Sequence, residues 1–429
     1  MNILLSHPTG NRNVREVMAA LLRADYLAEF HTTVTADPQS RWIKVLPENF
    51  QKECLRRHYD IPKDKLKSHP YLELARLILP KLGMKSVADH EKGWASVDAV
   101  YNDFDRSVAD RVKYLAKDEK IKAVYAYEDG ALETFRRAKE YGLKCIYELP
   151  IAYWETSRKL LLEEAKRLPE WSITLGGGIH DSEQKLERKT GEMELADVVV
   201  CPGKFVSDSI PLSAKDKHVI ISPFGSPLPH SIFAVKGEAG GDTKRPLRVL
   251  FAGSMGQRKG LGDLFEAIRH FSPKHVELVV MGSLLAPIEF YKKKLPHFRY
   301  EAGRPNDQVL ALMQSCDIFC LPSIVEGRAL VMQEAMSQGL PLIITANTGG
   351  EDLILHGQTG FLVPPGSPES ISEKISWFLD HRNEIPIMGE SARRHASMYT
   401  WEKYGNKIAR EIGGYLVEDD KLQFHKVRG

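Results

Sequence analysis

What most constrains this chain is an alternation of short apolar runs with helix-period segments, sustained almost from end to end. Residues 3–6 read as a strand. After the turn Pro8-Thr9-Gly10-Asn11 come Val14, Val17, Met18, Leu21 and Leu22, the stripe of an amphipathic helix. Residues 30–35 read as a second strand, and 121–127, 143–149, 196–201 and 219–223 continue the pattern with helices between them. Strand–helix–strand order of this kind implies a parallel sheet covered on both faces. A second alternation starts at 248–253, with strands at 276–282, 298–302, 318–322, 342–346 and 361–363. Its helix signals are clean: Ser367 can cap with Pro368 at the first helical position, and Gly339 stops the helix before it.

At 429 residues the chain is too long for one ordinary core. The break falls at Pro223-Phe224-Gly225-Ser226-Pro227-Leu228-Pro229 and the Gly-, Pro- and charge-rich stretch 237–246. The expectation is an α/β protein of two doubly wound, Rossmann-like domains, 1–225 and 240–397. One stretch, about 38–117, breaks the rhythm.

A formal charge of +2 and no basic block remove the main reason to expect nucleic acid as a partner. Five cysteines (Cys54, Cys145, Cys201, Cys316, Cys320) are odd in number and scattered, which suits buried thiols in a reducing compartment. No His or further Cys at zinc-ligand spacing joins Cys316 and Cys320. The first residues lack the basic start and apolar centre of a signal peptide. No uncharged apolar run reaches the ~18 residues a membrane span needs. Location is expected to be cytoplasmic.

The chemistry concentrates in the second half. Its first strand delivers Gly253-Ser254-Met255-Gly256-Gln257-Arg258-Lys259-Gly260, then a helix marked by Leu261, Leu264, Phe265 and Ile268. Glycines at such a turn let the backbone approach a phosphate, and the helix start favours negative charge. Arg258 and Lys259 add two cations. Farther on, a strand ends near Pro322 and a helix should begin around Arg328 or Ala329, with Glu326 at its mouth and Glu334 along it. Eight residues of helix would separate these carboxylates by roughly 12 Å. The helix start can offer amides to a diphosphate while each carboxylate accepts hydrogen bonds from hydroxyls on either side.

Glu326 and Glu334 resemble the E-x7-E motif of glycosyltransferase family 4, retaining enzymes of GT-B fold. The strand with Gly253, Lys259-Gly260, Cys316–Ser323, Gly339-Leu340-Pro341, Gly349-Gly350, Gly357–Pro364 and Thr400-Trp401-Glu402 stand where that family has comparable elements. The resemblance is strong over about 247–404 and architectural before that. It implies two domains facing a cleft, acceptor side first and nucleotide-sugar side second, with a last helix in 398–429 crossing back to the first domain. It implies that Lys259 neutralises the donor diphosphate and that Glu326 binds hydroxyls of the transferred sugar. The amides of Arg328, Ala329 and Leu330 would cradle sugar and phosphate, Glu334 would hold the ribose, and Gly303 and Arg304 would meet the base. The donor would be a UDP-, GDP- or ADP-linked sugar, with no metal and no further cofactor required; the acceptor, a glycan, a lipid-linked or a small molecule, stays open.

Three positions depart from the family. Ser254 stands where an Arg is usual, and Arg258 is its substitute. No His ends the strand at 143–149; Glu148 is the replacement considered. The family's Gly pair near the acceptor is here Thr9-Gly10-Asn11-Arg12-Asn13, so Gly10, Asn11 and Asn13, with Glu128 after the strand at 121–127, are the acceptor-side candidates. Asp129 reads equally as a helix cap, and His7 as a cleft residue or an ordinary hydrogen-bonding one. Asp103-Phe104-Asp105 has the form of a metal-binding D-x-D motif but is expected on a solvated helix face. Gly176-Gly177-Gly178-Ile179-His180 is read as a mobile loop near the cleft or an ordinary flexible connector, and the second is preferred. The stretch 63–81, basic and then apolar, either lies on the inner face of an anionic membrane or is a core helix with a solvated flank, and the second is preferred. The rival readings are a non-catalytic nucleotide-sugar-binding scaffold and a GT-B phosphorylase or isomerase.

Overall fold

The first sheet grows outward from β1 (Ile3–Ser6), whose four residues are all buried. In a computed structural model, the chain is described over residues 2–39, 51, 55–118, 120–227 and 245–428. Cys54 and the connecting stretch 228–244 lie outside the described residues. β2 (Leu27–Thr32), β3 (Leu66–Ser68), β4 (Ala123–Tyr127), β5 (Lys144–Glu148), β6 (Val198–Cys201) and β7 (His218–Ile221) complete a seven-stranded sheet in the order β3-β2-β1-β4-β5-β6-β7. The second sheet has β8 (Leu247–Ala252), β9 (Val276–Met281), β10 (Phe298–Glu301), β11 (Ile318–Leu321), β12 (Leu342–Ile344) and β13 (Gly360–Leu362), ordered β10-β9-β8-β11-β12-β13. Every pairing between these strands is parallel.

Helices cover both faces, as parallel strands require. In the first half they are α1 (Arg12–Arg23), α2 (Tyr71–Ile78), α3 (Val97–Lys117), α4 (Leu132–Glu140), α5 (Trp154–Arg167), α6 (Glu183–Leu195) and α7 (Lys204–Asp208). The second half has α8 (Leu261–Ile268), α9 (Ile288–Lys294), α10 (Asn306–Gln314), α11 (Leu330–Ser337), α12 (Pro368–Asp380), α13 (Glu384–Ser397) and α14 (Trp401–Arg428). Ser367 caps α12 by accepting from the Ser370 amide, with Pro368 in the first turn. Gly339, at φ +78°, ends α11. Both are the signals read from the sequence.

Strand order reverses between β1 and β4 in the first sheet and between β8 and β11 in the second. Such switch points open a crevice at the carboxyl ends of the strands. The two crevices face each other. α14 returns to the first domain, where Trp401, Tyr404, Ile408 and Ile412 join the core built on Val14, Val17 and Leu21 of α1.

A second crossing is not visible in the sequence. Trp171, just after α5, is buried in the core of the second domain, its ring 5.1 Å from Phe290 and 5.7 Å from Phe265. Beside it, Arg167 bonds Glu164 and, at 2.7 Å, Asp263, while Gln257 bonds Glu164 and Asp263 at 2.6 and 2.8 Å. Buried charges are tolerated here because each is paired and hydrogen-bonded.

The irregular stretch differs most from expectation. β2 begins at Leu27, and the charged Glu29 inside it disguised the strand; Arg111 neutralises that carboxylate with two hydrogen bonds, 2.5 and 2.9 Å. β3 forms an edge strand that no periodicity announced. α2 is not the core helix preferred above. Tyr71 is 87% exposed, Leu74 and Ile78 also face outward, and the helix's buried residue is Glu73, held by Arg76 at 2.6 Å. Asp105 is likewise buried rather than solvated, and it caps α4 by accepting from the amides of Glu133 and Thr134 at 2.7 and 3.0 Å.

Candidate functional site

In the second domain the turn after β8 and the loop after β11 meet at the switch point. Gly253 has φ +148°, and a Cβ there would stand 2.8 Å from Cδ of Lys259, so only glycine lets the lysine lie across the strand end. Lys259 Nζ bonds Glu326 Oε1, and Arg258 Nη1 lies 2.9 Å from the same oxygen. The main chain of Arg258 accepts from the Ile324 amide at 2.9 Å, and its guanidinium donates to the Val325 carbonyl at 3.1 Å. The two loops are thus tied at both ends of one residue. Burial would raise the Glu326 carboxyl, but the charges of Lys259 and Arg258 outweigh it and hold the group below its ordinary value. Two cations on one carboxylate leave positive charge at the mouth of α11.

The helix mouth is built by α11 itself. Its first residue is Leu330, close to the expected start. The Ala329 amide reaches the Thr348 carbonyl at a long 3.4 Å, while among the described residues the amides of Arg328 and Leu330 meet no protein acceptor. The Arg328 side chain is turned inward. Its guanidinium, fully buried, ion-pairs Asp352 at 2.7 Å, donates to Gln333 Oε1 at 2.9 Å and to the Gly349 carbonyl at 3.1 Å. Only the backbone of Arg328 is therefore open to a ligand.

Glu334 sits one turn along α11, half-buried, with Asn306 Nδ2 donating to it at 2.9 Å. Burial raises its carboxyl, opposed by that hydrogen bond and by the charge of Arg12 from the first domain. Glu334 is therefore within electrostatic reach of the first domain. The loop after β10 that holds Gly303 and Arg304 is brought to the same place by Asn306. Gly303 is open, with no atom within 4 Å of a Cβ added there, and Arg304 ion-pairs Glu301. Asn306 is a neighbour of Glu334 that sequence reasoning missed; a polar first residue of an unremarkable helix gives no signal.

The domains touch at Gly327, where a Cβ would fall 1.8 Å from the Pro150 carbonyl. Beside that contact lies a cavity of about 260 Å³, lined by Ser254, Gly256 and Arg258 from the second domain and Glu128 and Lys189 from the first. Arg258 is the cation that the second domain brings to it, opposite Lys189 of the first. Glu128 also lines a second cavity, about 380 Å³, with His7, Asn11, Asn13, Tyr101 and Asp129. Three of the acceptor-side candidates, Asn11, Asn13 and Glu128, are thus brought together. Gly10, at φ +57°, packs against Tyr59 instead.

Glu148 is not a cleft residue. It is buried beneath the cavity and accepts from Tyr404 at 2.8 Å, Asn13 at 3.1 Å and Tyr125. Burial raises its carboxyl, and these hydrogen bonds oppose the rise. Its work is to tie α14 to the first sheet. His90, Glu91 and Asp181 gather as a metal-type triad. The ammonium of Lys185 already stands 3.2 Å from Asp181 and 3.9 Å from Glu91.

The two facing parallel-sheet domains and the helix that crosses back define the GT-B scaffold. Anabaena HepE in complex with UDP shares it, at a TM-score of 0.60 and 15% identity over 96% of this chain and 99% of that one. Residues 237–395 match the family model described as glycosyl transferases group 1. An uncharacterized glycosyltransferase of Methanocaldococcus jannaschii is 24% identical over 210 residues, 48% of this chain and 57% of its own. The sulfoquinovosyl transferase SQD2 of Arabidopsis thaliana is 29% identical over 174 residues, 40% of this chain and 34% of its own. The chain thus matches about half or less of the length of these curated relatives. The second domain is similar to those of group 1 glycosyl transferases.

Proposed function

We propose that the chain is a retaining glycosyltransferase of the E-x7-E type that moves a sugar from a UDP-, GDP- or ADP-linked donor onto a hydroxyl of an acceptor. One observation carries it: Lys259 and Arg258 converge on Glu326 at the open mouth of α11, inside the interdomain cleft. A diphosphate arriving there takes over Lys259 and finds the amides of Arg328 and Leu330. Glu326, released from the lysine, accepts from hydroxyls of the transferred sugar, and Glu334 from those of the ribose. The leaving diphosphate receives the acceptor's proton as the new bond forms on the same face. The protein supplies position, charge and exclusion of water. UDP and UDP-glucose are bound by the Anabaena relative of the same fold, which places UDP first among the donors to try.

The test is a thermal-shift panel of UDP, GDP, ADP and CMP, with release of free nucleotide from the matching sugar donor. A ligand at a hundredfold excess over Kd stabilises by about 2.7 kcal/mol, so a true donor base stands out. Binding without turnover in the presence of acceptor extracts would favour the scaffold reading.

The exposed apolar side chains of α2 favour a peripheral position on a membrane. Tyr71, Leu74, Ile78 and Leu82 face solvent, and Lys63, Lys67 and Lys81 flank them. Among the described residues no helix is long and apolar enough to cross a membrane. Sedimentation with vesicles decides it: anionic vesicles should retain the protein and neutral ones should not, and Tyr71→Asp with Leu74→Asp should abolish the difference.

A further inference from the structure

The cavity between β1, α3 and β4 has a charge pattern opposite to that of the α11 mouth. Its charged lining residues are Asp98, Glu128, Asp129 and Lys185. The single lysine stands 3.4 Å from Asp98 and 3.2 Å from Asp181. The cations just behind the wall are also committed: Arg188 bonds Asp129 at 2.8 Å, and Lys189 stands 3.0 Å from Glu128. A phosphate or carboxylate entering here meets excess negative charge and no free cation among the described residues. Neutral hydroxyls meet carboxylate lone pairs, and Tyr101 and Phe224 add aromatic lining.

Two side chains are held in place for such a ligand. Asp129 is at φ +74°, a left-handed conformation that residues other than glycine adopt uncommonly. It is kept there by its amide, which donates to buried Glu192 at 3.0 Å, and by Arg188 on its carboxylate. His7 is nine-tenths buried, and its Nδ1 accepts from the amides of Thr9 and Gly10 at 3.0 and 2.9 Å. The proton is therefore on Nε2. Among the described residues that N–H meets no hydrogen-bond acceptor; the ring stands at right angles to that of Tyr127, centroids 4.6 Å apart, and both residues line the cavity. Burial lowers the imidazole to about 3, so it remains a neutral donor.

We infer that this cavity binds the acceptor through a neutral polyhydroxylated ring, a sugar or cyclitol, with Asp129 accepting from one hydroxyl and the Nε2–H of His7 donating to another. The inference rests on the transferase reading for the word acceptor, but the binding it asserts stands by itself. Glu128, shared with the cavity that Arg258 reaches, sits where the bound ring meets the donor side.

The experiment is saturation-transfer NMR on the full chain, with and without UDP. The probes are methyl glucoside, methyl galactoside, methyl mannoside and myo-inositol, against glucose 6-phosphate. At least one neutral ring should bind, and glucose 6-phosphate more weakly than it. Asp129→Asn, which tolerates positive φ and exchanges a charge-assisted hydrogen bond for a neutral one, and His7→Asn, which keeps an acceptor for the two amides but removes the Nε2–H donor, should each weaken that ring about tenfold. UDP affinity should not change in either variant. If one variant fails to fold, the other, in the loop after a different strand, decides. The inference is overturned if glucose 6-phosphate binds more tightly than every neutral ring, if none of the neutral rings binds, or if both substitutions leave the bound ring untouched. Failure of UDP to bind the native chain would instead count against the donor reading, leaving the arm without nucleotide to decide this one.

Discussion

Both domains open a crevice at the same topological point, yet they fill it with opposite chemistry. In the second domain, Lys259 and Arg258 share one carboxylate, and positive charge is left over. In the first, carboxylates outnumber the one lysine on the wall, and the nearby cations are all paired. The contrast teaches how one cleft could tell an anionic ligand from a neutral one by charge alone. On the proposed function, a diphosphate would be drawn to one wall and repelled by the other, and a hydroxylated ring would suit the reverse.

The sharpest way to break that contrast is Lys259→Ala. It should lower turnover about 100- to 1,000-fold, the cost of removing one charge-stabilising donor, and should weaken nucleoside diphosphate as well. Steady-state kinetics with calorimetry would check it, and full activity would remove the lysine from the site. Glu326→Gln comes next. The neutral amide frees both cations for phosphate, so UDP should bind at least as tightly while turnover falls about 100-fold for want of a sugar-gripping carboxylate. Parallel loss of binding and turnover would show Glu326 to be structural.

The third prediction concerns the first domain's support. The Glu192 carboxyl is pushed up to about 8, first by burial and then by the charge of Asp129. Between about pH 4.5 and 8 the folded protein keeps a proton the unfolded chain has released, so stability falls as pH rises through that window and levels off above it. Glu192→Gln should abolish a fall on the order of a few kcal/mol, measured by denaturant unfolding at pH 5 and 9. Identical pH profiles would contradict the account. The smallest effect belongs to Glu334→Ala, which should weaken nucleotide binding about tenfold with little change in turnover at saturation.

How much could be read from the chain follows the same divide. The convergence of Lys259, Arg258 and Glu326 was legible because they lie on two short turns, each directly after an apolar strand: Gly253 to Lys259, and Pro322 to Leu330. The first-domain wall was not, because its pairs join remote segments. Lys189 and Arg188 lie on α6, a helix so charged that it reads as solvated, yet both are largely buried against Glu128 and Asp129. Glu148 looked like a cleft residue because it ends a strand, where ligands gather; only the approach of Tyr404 from α14 shows it is sealed beneath. The side chain of Arg328 was equally illegible: only its amide was expected at the helix mouth, and nothing in the sequence told that Asp352 holds the guanidinium inward. Trp171 left no trace at all, since a core residue lent to the other domain has the same local pattern as one kept at home.

The most direct measurement is a crystal structure of the full chain with the nucleoside diphosphate that stabilises it most. The account predicts the diphosphate within hydrogen-bonding distance of Lys259 Nζ and the amides at the start of α11, with the ribose against Glu334. A nucleotide bound elsewhere, or lying in the cleft with Lys259 still locked to Glu326, would contradict it.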